Sequence, residues 1–139
     1  MPDTRFAGLD VRGGRQRNVK VAVVPLTAVD TAGGLFAWQN KDARAVIVDR
    51  IVVDITTPSS GACTADIGFT ATSATTLSDN LIDGASLATS AKVLDNLDDK
   101  GTNGKAKQKV ASGKWVTGSV ASGASAGVVG NAYIHYHTV

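Results

Sequence analysis

Two neighbouring segments with the period of a β-strand constrain the fold of this 139-residue chain more than any other feature. In residues 45–57, one strand face carries Asp49 and four large apolar residues, Ile47, Ile51, Val53 and Ile55, and the other face is also largely apolar. Residues 63–71 alternate strictly, with inward positions at Cys63, Ala65, Ile67, Phe69 and Ala71. The Thr-Pro-Ser-Ser-Gly sequence between them is typical of a turn. We therefore predict a β-hairpin over residues 45–71, whose first strand is central and covered on both faces.

Shorter apolar segments separated by turn residues predict further strands. They lie at residues 19–26, 35–38, 91–94, 107–111, 114–120 and 128–139. Pro25 is expected to end the first strand or to place it at a sheet edge. The chain has no glutamate and only eight leucines, which disfavours helices, and we expect at most a short helical turn near residues 77–82. The predicted fold class is all-β, a β-sandwich or jelly-roll-like barrel of about seven or eight strands, formed by residues 19–139 as a single domain.

Residues 1–18 show neither strand nor helix periodicity and are predicted to form an N-terminal arm outside this domain. The arm carries four arginines, Arg5, Arg12, Arg15 and Arg17. Because guanidinium groups pair bidentately with carboxylates, we expect these arginines to bind a neighbouring subunit or another partner protein.

Charge is distributed unevenly along the sequence. Residues 51–99 carry seven aspartates and one lysine, whereas residues 100–139 carry five lysines and no acidic residue. Separate surfaces built from these segments would present opposite charges to a complementary neighbour. A sheet that brings the segments together would instead mix the charges, and the sequence leaves both arrangements open.

The residue types that catalysis requires are scarce. The chain has two histidines and no glutamate, and it lacks the phosphate-loop, dinucleotide-binding and nucleophile-elbow motifs. We therefore expect a protein that is not an enzyme and holds no cofactor. Cys63 falls at an inward strand position and is interpreted as a small core residue.

Two places in the sequence contain residue types that can bind a metal ion. His135 and His137 share a strand face beside Tyr133, a spacing that suits zinc or copper, but they lack a nearby third ligand. We interpret them as ordinary strand histidines, and an exposed His137 would contribute little to stability. The aspartate-rich loop at residues 95–99 departs from the EF-hand pattern, and calcium binding by Asp95 to Asp99 is left open.

Targeting and nucleic-acid signals are weak. No apolar segment reaches the length of a membrane span, and the first ten residues lack the apolar core of a secretory signal. We expect synthesis in a cytoplasm and no membrane partner. A net charge of +2, with few aromatic residues among the basic ones, also disfavours nucleic acid as a partner.

Residues 45–139 resemble a group of small virion proteins of tailed bacteriophages, the capsid decoration or cement proteins encoded in head-gene clusters. The matching features are the valine-rich segment with Thr-Pro-Ser-Ser-Gly, the Ser-Asp-Asn-Leu-Ile-Asp-Gly sequence at 78–84 and the Gly-Asn-Ala-Tyr-Ile-His-Tyr sequence at 130–136. The resemblance implies a β-sandwich or barrel that sits as a homotrimer on the outer capsid surface of a virion. It also implies that the major capsid protein is the partner and that the protein is made in the host cytoplasm.

The alternative function is a carbohydrate-binding or adhesin-like β-sandwich on a virus or cell surface. Such sites use exposed aromatic side chains beside carboxylates or amides. The aromatic candidates are Trp38, Trp115, Tyr133 and Tyr136. Exposed, coplanar tryptophans would favour sugar binding, and buried tryptophans would favour capsid decoration.

Overall fold

The computed structural model describes residues 19–29, 33–72 and 78–139, and within these ranges the protein is all-β. Nine strands are formed by the described residues. They are β1 (Lys20–Pro25), β2 (Gly33–Gln39), β3 (Val46–Thr57), β4 (Cys63–Thr70), β5 (Ile82–Ser86), β6 (Lys92–Asp95), β7 (Gln108–Val110), β8 (Trp115–Gly123) and β9 (Val129–Thr138). The predicted all-β class is confirmed.

The strands form two antiparallel sheets. The first sheet has the order β1–β9–β3–β6, with β7 also paired to β3, and the second has the order β2–β8–β4–β5. The core contains side chains from both sheets, among them Leu35 and Val116 of the second sheet and Ile51 and Ile134 of the first, all fully buried. This arrangement is consistent with the predicted β-sandwich.

The predicted hairpin over residues 45–71 is wrong. Both strands form, but β3 pairs with β6, β7 and β9, whereas β4 pairs with β5 and β8 in the other sheet. The turn that joins them crosses between the sheets. Its Ser59 N–H donates to the Leu87 carbonyl over 2.9 Å, and its Ser60 N–H donates to the Ala126 carbonyl over 2.9 Å. Each strand has one buried face, and packing those faces against each other requires that the strands lie in different sheets.

The face assignment within β3 also needs correction, because a β-bulge interrupts the alternation. Opposite β9, the register shifts between Val48 and Arg50, so that Asp49 is an extra residue. As a result Val46 and Val48 are buried together with Ile51, Val53 and Ile55. The strand is central, as predicted, but its other face is only partly covered rather than buried.

Two shorter predictions fail where the chain bends. No helical turn forms at residues 78–82, where the chain is irregular until Ile82 begins β5; residue 77 lies outside the described ranges. Ala71 was expected to face inward but is exposed. It follows the end of β4, where the Thr70 hydroxyl donates to the Thr72 carbonyl over 2.7 Å and the chain turns.

Gly118 is a site where the packing between strands leaves no room for a side chain. A Cβ at this position on β8 would overlap the ring of Phe36 on β2, and that ring is buried. We expect Gly118→Ala to lower the free energy of unfolding by about 1–3 kcal/mol, since an overpacked core must shift. Gly61→Ala is the control, because a Cβ there meets no atom within 4 Å. Urea denaturation measures both, and equal midpoints would contradict this packing.

Candidate interaction surfaces

The outward face of the first sheet carries an exposed apolar patch. Val19, Val21 and Val23 lie along β1 and are 58%, 51% and 56% exposed. The register places Val23 beside Tyr133 of β9, and Tyr133 beside Val52 of β3. We call this patch, together with the outward residues at its far edges, the valine face: Val19, Val21, Val23, Val52, Val93, Val129 and Tyr133.

Strand β1 is the most exposed part of the valine face. Among the described residues it lies at the edge of the first sheet and ends at Pro25, as predicted. Its inward residues Ala22 and Val24 pack on the core, so the strand is apolar on both faces. If β1 packed only against the core of its own domain, its outward positions would not need apolar residues. The register continues the patch from Val23 through Tyr133 to Val52, and Arg50 and Asp54 lie on the same face of the sheet. Exposed valines grouped in this way are typical of a surface that contacts another molecule.

The aspartate-rich loop at residues 95–99 uses its carboxylates to fold itself. Asp95 accepts hydrogen bonds from the N–H groups of Leu97 and Asp98, and Asp99 accepts one from the Asp95 N–H. The Arg50 guanidinium lies 2.6 Å from Asp95. The Asp98 N–H, with Arg50, holds the pKa of Asp95 below its usual value. The carboxylates of Asp95 and Asp99 therefore stabilise a turn, and Arg50 anchors this turn to β3.

His137 differs from the exposed strand histidine that its sequence position suggested. It is only 5% exposed, and its Nδ1 lies 2.5 Å from a carboxylate oxygen of Asp49. Lys107 donates to the other oxygen of Asp49 over 3.3 Å. Burial raises the pKa of Asp49, but the hydrogen bonds from His137 and Lys107 outweigh burial and hold the pKa below its usual value. The neighbouring His135 is half-buried, and its buried Nδ1 has no hydrogen-bond partner in the structure.

The signal for this pair was present in the sequence. Asp49 directly follows the apolar residues Val46 to Val48, and a partly buried carboxylate in such a position requires a cationic or hydrogen-bonding partner. The identity of that partner depends on the pairing of β3 with β9, which the sequence does not specify.

Acidic and basic segments pack together rather than forming separate surfaces. Strand β4 of the acidic segment 51–99 pairs with β8 of the basic segment 100–139. Asn103, in the same basic segment, binds Asp79 through its side chain and Asp83 through its N–H. Of the two charge arrangements that the sequence left open, these contacts favour mixing.

A groove opens beside β2, with residues of both sheets in its lining. Its aromatic walls are Trp38 of β2, Trp115 of β8 and Tyr136 of β9. The rings of Trp38 and Tyr136 are 4.7 Å apart between centroids and tilted by 48°. The groove has a volume of about 400 Å³ and is also lined by Ala37, Gln39, Lys41 and Asp42. Both tryptophans are half-buried, so they are neither a flat exposed platform nor part of the closed core.

The polar rim of the groove is held by a buried asparagine. Asn40 is fully buried, and its amide nitrogen donates to the carbonyls of Arg44 and Val110, each over 3.0 Å. Its side-chain oxygen accepts the N–H of Asp42. Because every polar atom of this side chain is bonded, the turn that carries Lys41 and Asp42 is fixed relative to the aromatic walls.

The remaining predicted site residues fall into two groups. Arg5, Arg12, Arg15 and Arg17 lie outside the described residues, so their predicted role stays a prediction. Cys63 is 3% exposed, and burial raises the pKa of its thiol, which confirms it as a core residue. Within the described ranges, no three histidine, cysteine or acidic side chains come together as a metal site. The same part of the chain has no helix long and apolar enough to cross a membrane.

Comparison with protein-family models found no matching family, and comparisons with curated proteins and with solved structures found no match.

The contact between Asp49 and His137 makes a prediction about stability. We expect His137→Ala and Asp49→Asn each to lower the free energy of unfolding by about 1–3 kcal/mol at neutral pH, because the first removes the donor of the hydrogen bond and the second removes the charge that strengthens it. Asp54→Asn, on the same strand, is the control and is expected to change it by less than about 0.5 kcal/mol.

The contact between Asp49 and His137 also makes the free energy of unfolding depend on pH. The pKa of Asp49 is lower in the folded protein than its ordinary value of 3.8. The stability that ionised Asp49 contributes is therefore fully present above the ordinary pKa, and it is lost as the pH falls through the lower pKa of the folded protein. Urea midpoints measured across the acid range should converge for wild type and Asp49→Asn. A difference that stays constant down to the lowest pH would contradict the pairing.

Proposed function

We propose that this chain is a non-enzymatic structural protein of a tailed bacteriophage. In this proposal it decorates the outer surface of the assembled capsid and stabilises it by binding the lattice of the major capsid protein. It is made in the host cytoplasm and attaches as a homotrimer. The resemblance of residues 45–139 to decoration proteins suggests this role, and the valine face is the structural observation that supports it best.

The valine face offers binding energy that the isolated protein does not use. Val19, Val21 and Val23 are each more than half exposed. Covering the exposed parts of three valines contributes roughly 3 kcal/mol before the costs of association, from about 1.5–3 kcal/mol for a fully buried side chain. This is a modest gain for one copy. It becomes substantial when linked copies of a trimer attach together, because the later contacts form within one complex.

Stabilisation of a shell follows from where the protein binds. A protein that binds only the assembled lattice shifts the equilibrium away from free capsid subunits by mass action. A broad apolar face suits this task, since it recognises a surface that exists only between assembled subunits. No catalytic group is needed for such a function.

The arginine-bearing arm is the second part of the proposal. Residues 1–18 lead directly into β1, so Arg15 and Arg17 precede the valine face in the chain by only a few residues. Pairing of these arginines with capsid carboxylates would add a salt-sensitive component to attachment, whereas contacts of the valine face respond little to screening.

The direct test is the composition of phage particles that encode this chain. Particles purified by density gradient should contain it in a fixed ratio to the major capsid protein. Light scattering of the purified protein should give the mass of three chains. Particles that lack the protein, or that carry it in no fixed ratio to the capsid protein, would overturn the proposal.

Substitutions separate the two contact regions. The variants are added to capsid shells that do not already carry the protein. We expect Val21→Asp to reduce the occupancy of these shells by more than about tenfold, because a charge would be buried in the interface. Val139→Asp is the matched control, since Val139 is 48% exposed and lies outside the valine face. Arg15→Glu with Arg17→Glu should weaken attachment partly and make it less sensitive to salt. Unchanged occupancy of Val21→Asp would exclude the valine face as the docking surface.

A further inference from the structure

We propose that the groove lined by Trp38, Trp115 and Tyr136 binds a pyranose ring of a glycan. The site is distinct from the valine face, because none of its lining residues belongs to that face. The proposal therefore does not depend on capsid attachment.

The aromatic walls match the apolar side of a sugar. A pyranose presents C–H groups on its ring faces and hydroxyl groups around its edge, so it suits a site with aromatic surfaces and a polar rim. The rings of Trp38 and Tyr136 are in contact at a tilt of 48°, so a sugar would lie across both rings rather than between them. Trp115 of the neighbouring strand also lines the groove, and the register places it with Gln39 on the opposite face of the second sheet from Trp38. Half-buried indoles of this kind combine a large apolar surface with an N–H group that donates hydrogen bonds.

The rim supplies both kinds of hydrogen-bonding group that sugar hydroxyls require. Gln39 donates from Nε2 to the Gly113 carbonyl over 3.1 Å, which orients its amide. The carboxylate of Asp42 lies 3.3 Å from the Lys20 ammonium, and that ammonium is also 5.9 Å from the centre of the Tyr136 ring. The rim thus combines amide, carboxylate and ammonium groups. Lys20 compensates the charge of Asp42, and Lys41 adds one positive charge to the rim.

The groove is also fixed before any ligand binds. The hydrogen bonds of buried Asn40 hold the turn with Lys41 and Asp42, and the Ser112 hydroxyl donates to the Asp42 carbonyl over 2.6 Å. The volume of about 400 Å³ falls in the range of small-molecule sites. A preformed site loses less conformational entropy on binding, which matters for ligands as weakly bound as sugars.

The experiment is a titration of the full chain with defined neutral saccharides. The panel contains glucose, galactose, mannose and N-acetylglucosamine, together with their β- and α-linked disaccharides. Tryptophan fluorescence detects binding, because both tryptophans of the chain line the groove. We expect at least one saccharide to change the fluorescence saturably, with a dissociation constant below about 10 mM.

Variants locate the binding site. Trp115→Ala and Gln39→Ala should each weaken binding about tenfold or more. Tyr133→Ala is the aromatic control from the outer face of the first sheet and should leave binding unchanged. Backbone amide shifts in two-dimensional NMR provide a readout independent of the removed tryptophan, and they also show that each variant is folded. Perturbed amides should cluster around residues 37–42 and 115.

Two results would overturn the inference: no saccharide in the panel binds, or binding occurs and survives both Trp115→Ala and Gln39→Ala. Its failure is distinguishable from failure of the proposed function. Val21→Asp should abolish shell attachment while saccharide binding persists, whereas Trp115→Ala should have the opposite effect.

Discussion

The bulge in β3 is the constraint on which the rest of the sandwich depends. The strand has twelve residues and pairs with three other strands, and an unbroken alternation would place Asp49 on the core face and turn Val46 and Val48 away from it. The extra residue at Asp49 restores one buried face along its whole length. On the other side of β3, next to its pairing with β6, the Ile51 N–H donates to the side-chain oxygen of Asn96 over 2.9 Å. Asp49 and Arg50 then carry their charges outward, to His137 and Asp95 respectively.

The same feature shows how far sequence reasoning reaches. The strand pattern predicts β1, β2, β3, β4, β6, β7, β8 and β9, because their apolar residues lie in short stretches bounded by turns. It places Ile47 and Ile51 on one face, since a bulge has no signature that a period of two can show. The partners of β3 and β4 were assigned by proximity in sequence, and the turn between them crosses the sandwich instead. β5 was missed because its Ile-Asp-Gly-Ala-Ser sequence is short and has few apolar residues.

Both candidate surfaces arise from topology rather than from motifs. The spacing of Val19, Val21 and Val23 places them on one face, but only the strand order shows that this face points to solvent. Trp38 and Tyr136 are far apart in the sequence and meet because β2 and β9 lie in opposite sheets. The partner-binding role of the four arginines in residues 1–18 remains a hypothesis that rests on the sequence alone. A small β-sandwich with one apolar outer face and one aromatic groove has two separate means of contacting other molecules.

The central claim is that the valine face is the surface by which the protein attaches to a larger assembly. Cryo-electron microscopy of phage particles that carry this chain tests it most directly, because the two sheets of the sandwich can be told apart in the density. The account predicts that the outer face of β1 and β9 lies against the capsid lattice, with Val21 and Tyr133 in the contact. Density in which that face points to solvent, while another surface of the sandwich meets the capsid, would contradict it.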